Sequence, residues 1–551
     1  MNILPPTNDG RSSTTRRLLR RAFITFTAAS LLMSASSGYA AQPAESAHAR
    51  CLAIRQDRIV DADVRVADWV DASTLPLGPG GSGVAVPAHC LLRLLIGARS
   101  SDLPDLSYGT GIELRLPADW NGRLLFQGGG GMNGLLLPAV GRLPGFPSAL
   151  ERGFAVVSTD GGHQGRSNID SRFGRDQQAR LDFGFGAIAT TTREAKSMLR
   201  AYYGRKPDRS YFMGCSTGGR EAMMAAQRLP LEFDGVVSGN AAWNLTRLVV
   251  GQIWSLQAVN RIAPRKDGRP DLSSAFTDEQ LEAVSAGALQ RCDALDGLRD
   301  GMINDFQACN FSPKSLTCGT AGAPSAGRCL STGQVSALEK IFGGARNSRG
   351  ERLHGTFPFD TGIAQPAWRG MHLGTNGGPP ANATLGADTL RNYVLTPPAP
   401  DLDPLQFDFD RDFTGTLETA AINDATGTEH STFAGRGGKL IAYLGLSDQA
   451  MSTGSLVEWY GKVTPRDTSG PQSWARLFFI PGMTHCGGGR STDEFDMLDA
   501  IQKWVERGEA PERILATGKA FPGASRPLCP FPKVARYESG DVDDASSFQC
   551  R

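Results

Sequence analysis

Apolar residues along the chain fall into short runs that end at glycine-rich turns. Arg123 to Phe126 leads into Gln127 and then Gly128 to Gly131. Phe154 to Ser158 leads into Asp160-Gly161-Gly162, and Ser210 to Met213 into Gly214. Gly235 to Ser238, Lys439 to Leu444 and Leu477 to Ile480 repeat the form. Short β-rich runs separated by helical stretches predict a mostly parallel sheet. Thr191 and Glu194 make a capping-box pattern before a helix over Ala195 to Tyr203, which Gly204 ends. Ser491 and Glu494 make the same pattern before a helix whose Phe495, Leu498, Ile501 and Val505 share a face.

The alternation breaks from about Trp243 to Thr426, where a helix over Asp278 to Gln290 is set among long Gly/Pro-rich loops. Strand-like runs resume near Lys439. This pattern predicts a core built from residues 41–243 and 427–551, with 244–426 inserted over the sheet as a lid. A chain of 551 residues is long enough for that arrangement.

Composition adds the compartment. Arg16, Arg17, Arg20 and Arg21 precede an apolar stretch, Ala22 to Ala35, too short to span a bilayer. Gly38-Tyr39-Ala40 supplies small residues at cleavage spacing, so residues 1–40 read as a signal peptide and the mature protein as secreted or periplasmic. All ten cysteines lie beyond it, and none forms C-x-x-C, which points to disulfides rather than a zinc ribbon or thioredoxin motif. A formal charge of +1 gives no sign of a nucleic-acid or membrane partner.

The chemistry centres on Gly214-Cys215-Ser216-Thr217-Gly218, which fits G-x-S-x-G. An apolar run precedes it and the helix-forming Arg220 to Ala226 follows. Strand, tight turn and helix together make a nucleophile elbow, the mark of an α/β-hydrolase. A serine hydroxyl needs a base. Of the seven histidines, His485 alone follows a late strand as the topology requires. In the order serine, acid, histidine, the acid should follow the strand Lys439 to Leu444, which selects Asp448 to orient the imidazole. Asp493, Glu494 and Asp496 come after the histidine and look like helix-start charge. The Thr217 N–H and one glycine of Gly128 to Gly131, with Gly130 preferred, would hold the oxyanion. Cys215 adjoins the nucleophile and Cys486 the base, so a Ser–His hydrogen bond brings them within bridging range. In Asp293 to Met302, the carboxylates Asp293, Asp296 and Asp300 crowd a glycine-punctuated stretch. From chemistry alone this is equally a solvated acidic loop or a calcium site.

These residues resemble the tannase and feruloyl esterase family, whose pattern pairs Cys-Ser at the elbow with a late His-Cys and an Asp between. Cys215-Ser216, Asp448 and His485-Cys486 fit it. The resemblance implies an α/β-hydrolase core with a lid, and a structural Ca²⁺ held by Asp293, Asp296, Asp300 and the carbonyls of Leu298 and Met302. It further implies bridges Cys51–Cys90, Cys292–Cys309, Cys318–Cys329 and Cys529–Cys550. The implied activity is hydrolysis of esters of aromatic, phenolic acids by a serine carboxylesterase, with a small aromatic ester as partner. A second reading within the family is hydrolysis of terephthalate half-esters. Against it, Ala381 falls where such a member carries a lid arginine, and Met451 replaces an aromatic beside the catalytic Asp. Arg391 is the nearest replacement cation, and Trp243, Trp254 and Trp368 are candidates to stack on an aromatic acyl group. A reading from another class is a catalytically inactive binding module on the same fold, which the intact Ser, His and Asp set opposes.

Overall fold

The computed structural model describes residues 46–54, 62–76, 83–375, 377–463 and 471–551. The expected signal peptide, residues 1–40, lies outside them. The strands of the central sheet are β1 (Ala62–Val70), β2 (His89–Ser100), β3 (Ser107–Pro117), β4 (Arg123–Gln127), β5 (Ala155–Thr159), β6 (His163–Gln164), β7 (Arg209–Cys215), β8 (Gly235–Gly239), β9 (Lys439–Gly445) and β10 (Ala475–Ile480). Their spatial order is β1-β2-β3-β5-β4-β7-β8-β9-β10, with β6 paired to β3. From β5 across to β10 every pairing is parallel. The pairs β1–β2, β2–β3 and β3–β5 are antiparallel. This is the α/β-hydrolase architecture.

The parallel strands are apolar on both faces because both faces are covered. Alternate residues therefore enter different cores. Leu124, Phe126, Val157, Phe212, Val236 and Leu440 face one. Leu125, Val156, Tyr211, Val237, Ile441 and Phe478 face the other. Helices α1 (Ala187–Tyr203) and α2 (Thr217–Arg228) cover the first face, burying Met198, Leu199, Met223 and Ala226. The second is covered by Leu498, Ile501 and Trp504 of a C-terminal helix, Met497–Arg507.

Two helix starts differ from the sequence expectation. Thr191 is not a cap: α1 begins at Ala187, continues a π-type turn over Asp182–Gly186, and buries Thr191. Its end is as expected, at Gly204 with φ of 72°. The C-terminal helix begins at Met497, not after Ser491. Asp496 caps it by accepting from the Asp499 N–H, while Glu494–Phe495 form a short strand. In both cases the residue that imitates a cap is buried by the fold.

Between β8 and β9 the chain is mainly helical, with α3 (Leu245–Ile262) followed by helices Asp278–Cys292 and Thr332–Gly343. The first turns of α3 pack into the main core through Leu245, Leu248 and Val249. Beyond them the segment builds its own cluster around Val259, Phe276, Leu281, Leu338 and Trp368.

Five disulfides close the chain: Cys51–Cys90, Cys215–Cys486, Cys292–Cys309, Cys318–Cys329 and Cys529–Cys550. The second joins residues 271 apart in sequence, and the fourth residues 11 apart. In the chain-entropy picture the long closure is worth on the order of 5 kcal/mol and the short one about 3 kcal/mol. Cys215→Ala with Cys486→Ala should therefore lower the melting temperature more than Cys318→Ala with Cys329→Ala. Calorimetry of the two variants checks this, and an equal or reversed order would contradict it.

Candidate active site

Parallel strands deliver their C-terminal ends to one edge, the usual place for a site in such sheets. Gly128 to Gly131 follow β4, Ser216 follows β7, Asn240 follows β8, Asp448 follows β9 and His485 follows β10. Ser216 has φ of 62° and ψ of −123°, a strained backbone for a residue with a side chain. The turn closes because its neighbours are glycines. A Cβ on Gly214 would lie 2.5 Å from the Gly218 backbone, and one on Gly218 would lie 2.7 Å from the Gly129 carbonyl oxygen. The Ser216 N–H donates to the Gly239 carbonyl at 3.0 Å and fixes the elbow to β8.

The structure brings Ser216, His485 and Asp448 together. His485 Nε2 lies 2.9 Å from Ser216 Oγ, and Nδ1 lies 2.8 Å from Asp448 Oδ2. Asp448 Oδ1 accepts the N–H groups of Ala450 and Met451, each at 2.9 Å. Burial pushes the Asp448 carboxyl upward. The charge and hydrogen bond of His485, helped by Asn240, outweigh that and hold it below its ordinary range. Burial likewise disfavours the His485 imidazolium, but the Asp448 carboxylate prevails and raises its pKa above the ordinary 6.5. Buried elsewhere, His163 is pushed down to about 3, and His354 and His372 to about 4, by desolvation.

Thr217 is the first residue of α2, so its N–H is one of the donors a helix leaves unpaired. In the facing loop, the Gly128 N–H donates to the Met213 carbonyl and the Gly129 N–H to Glu221 Oε2. Gly130 comes next and lines the cleft with nothing within 4 Å of where its Cβ would stand. The loop is laced to the elbow by the Thr217 hydroxyl on the Gly131 carbonyl and by Glu221, whose other oxygen accepts from Asn133 at 2.8 Å.

Two residues of the site were not foreseen. Asn240 Nδ2 donates to Asp448 Oδ2 at 2.6 Å, giving that oxygen a second partner beside His485. A polar residue at the end of a central strand is the signal that could have found it. Asp360, in the inserted segment, accepts from the Ser447 hydroxyl and the Gly482 N–H, both at 2.9 Å. Ser447 precedes Asp448, and Gly482 begins the turn to His485. One buried carboxylate thus ties the acid loop to the base loop, and nothing local in the sequence marks it.

Other expectations resolve differently. Ser216 and His485 open onto a cleft of about 890 Å³ lined by Leu137, Val140, Leu143, Tyr443 and Phe495. No candidate tryptophan lines it. Trp254 and Trp368 border a separate, smaller cavity beside Asp448, and Trp243 packs on Trp459. Arg391 is held by the Leu402 carbonyl at 2.6 Å and by Asp388 at 3.2 Å, and lines neither cavity.

In the acidic loop, Asp293 accepts from the Asp300 and Gly301 N–H groups, and Asp296 from the Leu298 N–H and the Asn304 amide. Asp300 accepts from the Met302 N–H and pairs with Arg526 at 2.7 Å. Burial raises the Asp293 carboxyl and pushes Asp296 up to about 6, and neighbouring carboxylates add to both. Among the described residues no three His, Cys, Asp or Glu side chains are close enough together to hold a metal ion by themselves.

The tannase and feruloyl esterase family model matches residues 99–551. Mono(2-hydroxyethyl) terephthalate hydrolase of Piscinibacter sakaiensis is 36% identical, over 88% of this chain and 88% of that protein. The probable feruloyl esterase of Arthroderma benhamiae is 28% identical, over 79% of this chain and 81% of that protein. The crystal structure of feruloyl esterase B from Aspergillus oryzae matches with a TM-score of 0.77 and 25% identity, covering 92% of this chain and all of that one. The chain belongs to the tannase and feruloyl esterase family and is a carboxylic ester hydrolase.

Proposed function

We propose that this protein is an exported serine esterase that hydrolyses esters of aromatic, phenolic acids through an acyl-enzyme on Ser216. The observation that carries the reading is the line of hydrogen bonds from Ser216 through His485 to Asp448. Ser216 Oγ attacks the ester carbonyl and its proton passes to His485 Nε2. Asp448 accepts from Nδ1 and stabilises the imidazolium so formed. The Thr217 and Gly130 N–H groups receive the oxyanion. Collapse expels the alcohol, which takes the proton from His485. Water then attacks the acyl group with His485 again as base, and the acid leaves as Ser216 regains its proton.

The aromatic class rests on relatives named as feruloyl esterases and on the apolar lining of the cleft. The terephthalate half-ester reading has less support. Ala381 supplies no guanidinium, Arg391 is already engaged by the Leu402 carbonyl and Asp388, and Met451 is a buried thioether rather than a ring. Export is supported by the five disulfides and by the signal-like residues 1–40. No helix among the described residues is long and apolar enough to cross a membrane. We read residues 244–426 as the lid, because they hold a hydrophobic cluster of their own and reach the catalytic loops through Asp360.

A structural Ca²⁺ fits the acidic loop on charge. Three carboxylates crowd the loop, two of them raised by burial and by their neighbours, and of the three Asp300 is the one with an ion pair, to Arg526. Asp293, Asp296 and Asp300, with the carbonyls of Leu298 and Met302, would hold the ion. Its contribution there is neutralisation of that charge, and no step of ester cleavage passes through it.

Ser216→Ala should leave turnover orders of magnitude below wild type, and near-normal hydrolysis of any good substrate would refute the assignment. His485 must be neutral to act as base, and its pKa is raised. The acid limb of kcat/KM should therefore fall away as pH drops through a value above 6.5. A pH–rate profile with its limb well below that value would contradict the Asp448 contact. A chelator should lower the melting temperature while leaving the chemistry little changed at low temperature. An unchanged melting temperature, with no calcium in elemental analysis, would remove the metal.

A further inference from the structure

The loop after Gly131 forms one wall of the cleft, and its backbone is strapped down along its length. Ser158 Oγ donates to the Leu137 carbonyl at 2.6 Å, and the Ala139 N–H donates to Glu113 at 3.0 Å. Gln127, the last residue of β4, donates to the Pro138 carbonyl and accepts from the N–H groups of Val140 and Gly141. The Ala149 N–H closes the loop onto the Gly141 carbonyl at 2.9 Å. The next residue is Arg142, exposed and lining the cleft that holds Ser216 and His485.

Arg142 is the one arginine or lysine among the described lining residues. Among the described residues no ion pair or hydrogen bond engages its guanidinium. The cleft's one Asp or Glu, Asp493, already accepts the Gly488 N–H at 2.6 Å. Glu494 lies against Gly145, further along the loop, and makes no ion pair with Arg142. A rigid loop therefore presents a free, planar donor array to the substrate path. The remaining wall there, Leu137, Leu143 and Pro144, offers no competing charge.

We propose that Arg142 receives a carboxylate on the alcohol part of the ester, so that the preferred substrates include aromatic-acid esters of hydroxy acids. The inference rests on the serine esterase reading above and adds the leaving group to it. The alcohol departs to solvent while the acyl group stays on Ser216, and Arg142 is exposed to solvent. An exposed arginine suits the departing part because neither it nor its carboxylate is stripped of water. Bidentate geometry adds selectivity, and the charge steers the anion toward the nucleophile before it binds.

The test compares carboxymethyl ferulate, anionic on the alcohol part, with neutral 2-hydroxyethyl ferulate, following ferulic acid release by the mature chain. Comparing the ratio of the two kcat/KM values between variants cancels the esters' intrinsic reactivity. Arg142→Ala should lower the anionic-to-neutral ratio about fivefold, mainly through KM. Arg142→Lys should keep part of it. The wild-type ratio should fall as salt rises, and the Arg142→Ala ratio should not. An Arg142→Ala ratio equal to wild type overturns the proposal. So does a loss confined to monomethyl terephthalate, whose carboxylate is on the acyl part. Failure of the wild type to hydrolyse either ferulate would instead strike the aromatic esterase reading itself.

Discussion

Gly218 touches the backbone of Gly128 and Gly129 so closely that a Cβ there would sit 2.7 to 3.0 Å from backbone atoms. That contact places the glycine loop over the first turn of α2. It holds the loop that carries Gly130 against the elbow that carries Thr217. Any side chain at Gly128, Gly214 or Gly218 would separate the two segments. Glu221 reinforces the contact from below. Its carboxylate is fully buried and raised by desolvation, yet it accepts from the loop at Gly129 and Asn133. Removing it would leave those donors unsatisfied in the interior, a cost of about 1–3 kcal/mol for each buried group.

The electrostatics of the site follow from the same economy of partners. Asp448 is buried and stays ionised because four groups address it: His485, Asn240 and the amides of Ala450 and Met451. That carboxylate then holds the imidazole and raises its basicity. Asp360 works one layer further out. It is buried and its carboxyl is raised by desolvation, but its donors come from both the Asp448 loop and the His485 loop. Through it the inserted segment bears on the spacing between acid and base without lining the cleft where Ser216 opens.

How legible this was depended on the range of the determinants. The strands could be read because burial on both faces makes each a continuous apolar run, as in Ala155–Thr159. The elbow could be read because its glycines, serine and helix are contiguous. His485 and Asp448 followed from chain order alone. The cysteines beside Ser216 and His485 gave a distance constraint, which the Cα separation of 6.0 Å meets. The helix starts at Ala187 and Met497 were missed because Thr191 and Ser491 imitate caps locally while the fold buries them. Asp360 was beyond reach for a different reason. It lies 122 residues from Gly482 and 87 from Ser447, and a lone Asp in a loop carries no periodic or spacing signal.

The bridge beside Ser216 and His485 also bears on how the strained backbone persists. Ser216 and Cys486 both have φ of 62°, a region that residues with side chains rarely adopt. Such conformations cost about 1–3 kcal/mol each and persist only where surrounding structure over-determines them. Ser216 is held by its N–H on Gly239 and by the glycine contacts of the elbow. Cys486 lies on a turn rich in left-handed glycines, Gly482 and Gly487 to Gly489, which has little conformational preference of its own. Joining Cys486 to Cys215 ties that permissive turn to the rigid end of β7. Cys486, left-handed and next to His485, is thereby fixed near Ser216, the left-handed residue of the elbow. The same covalent link joins both left-handed positions, and hydrogen bonds from Thr484 to Gly487 and from Gly488 to Asp493 hold the rest of the turn.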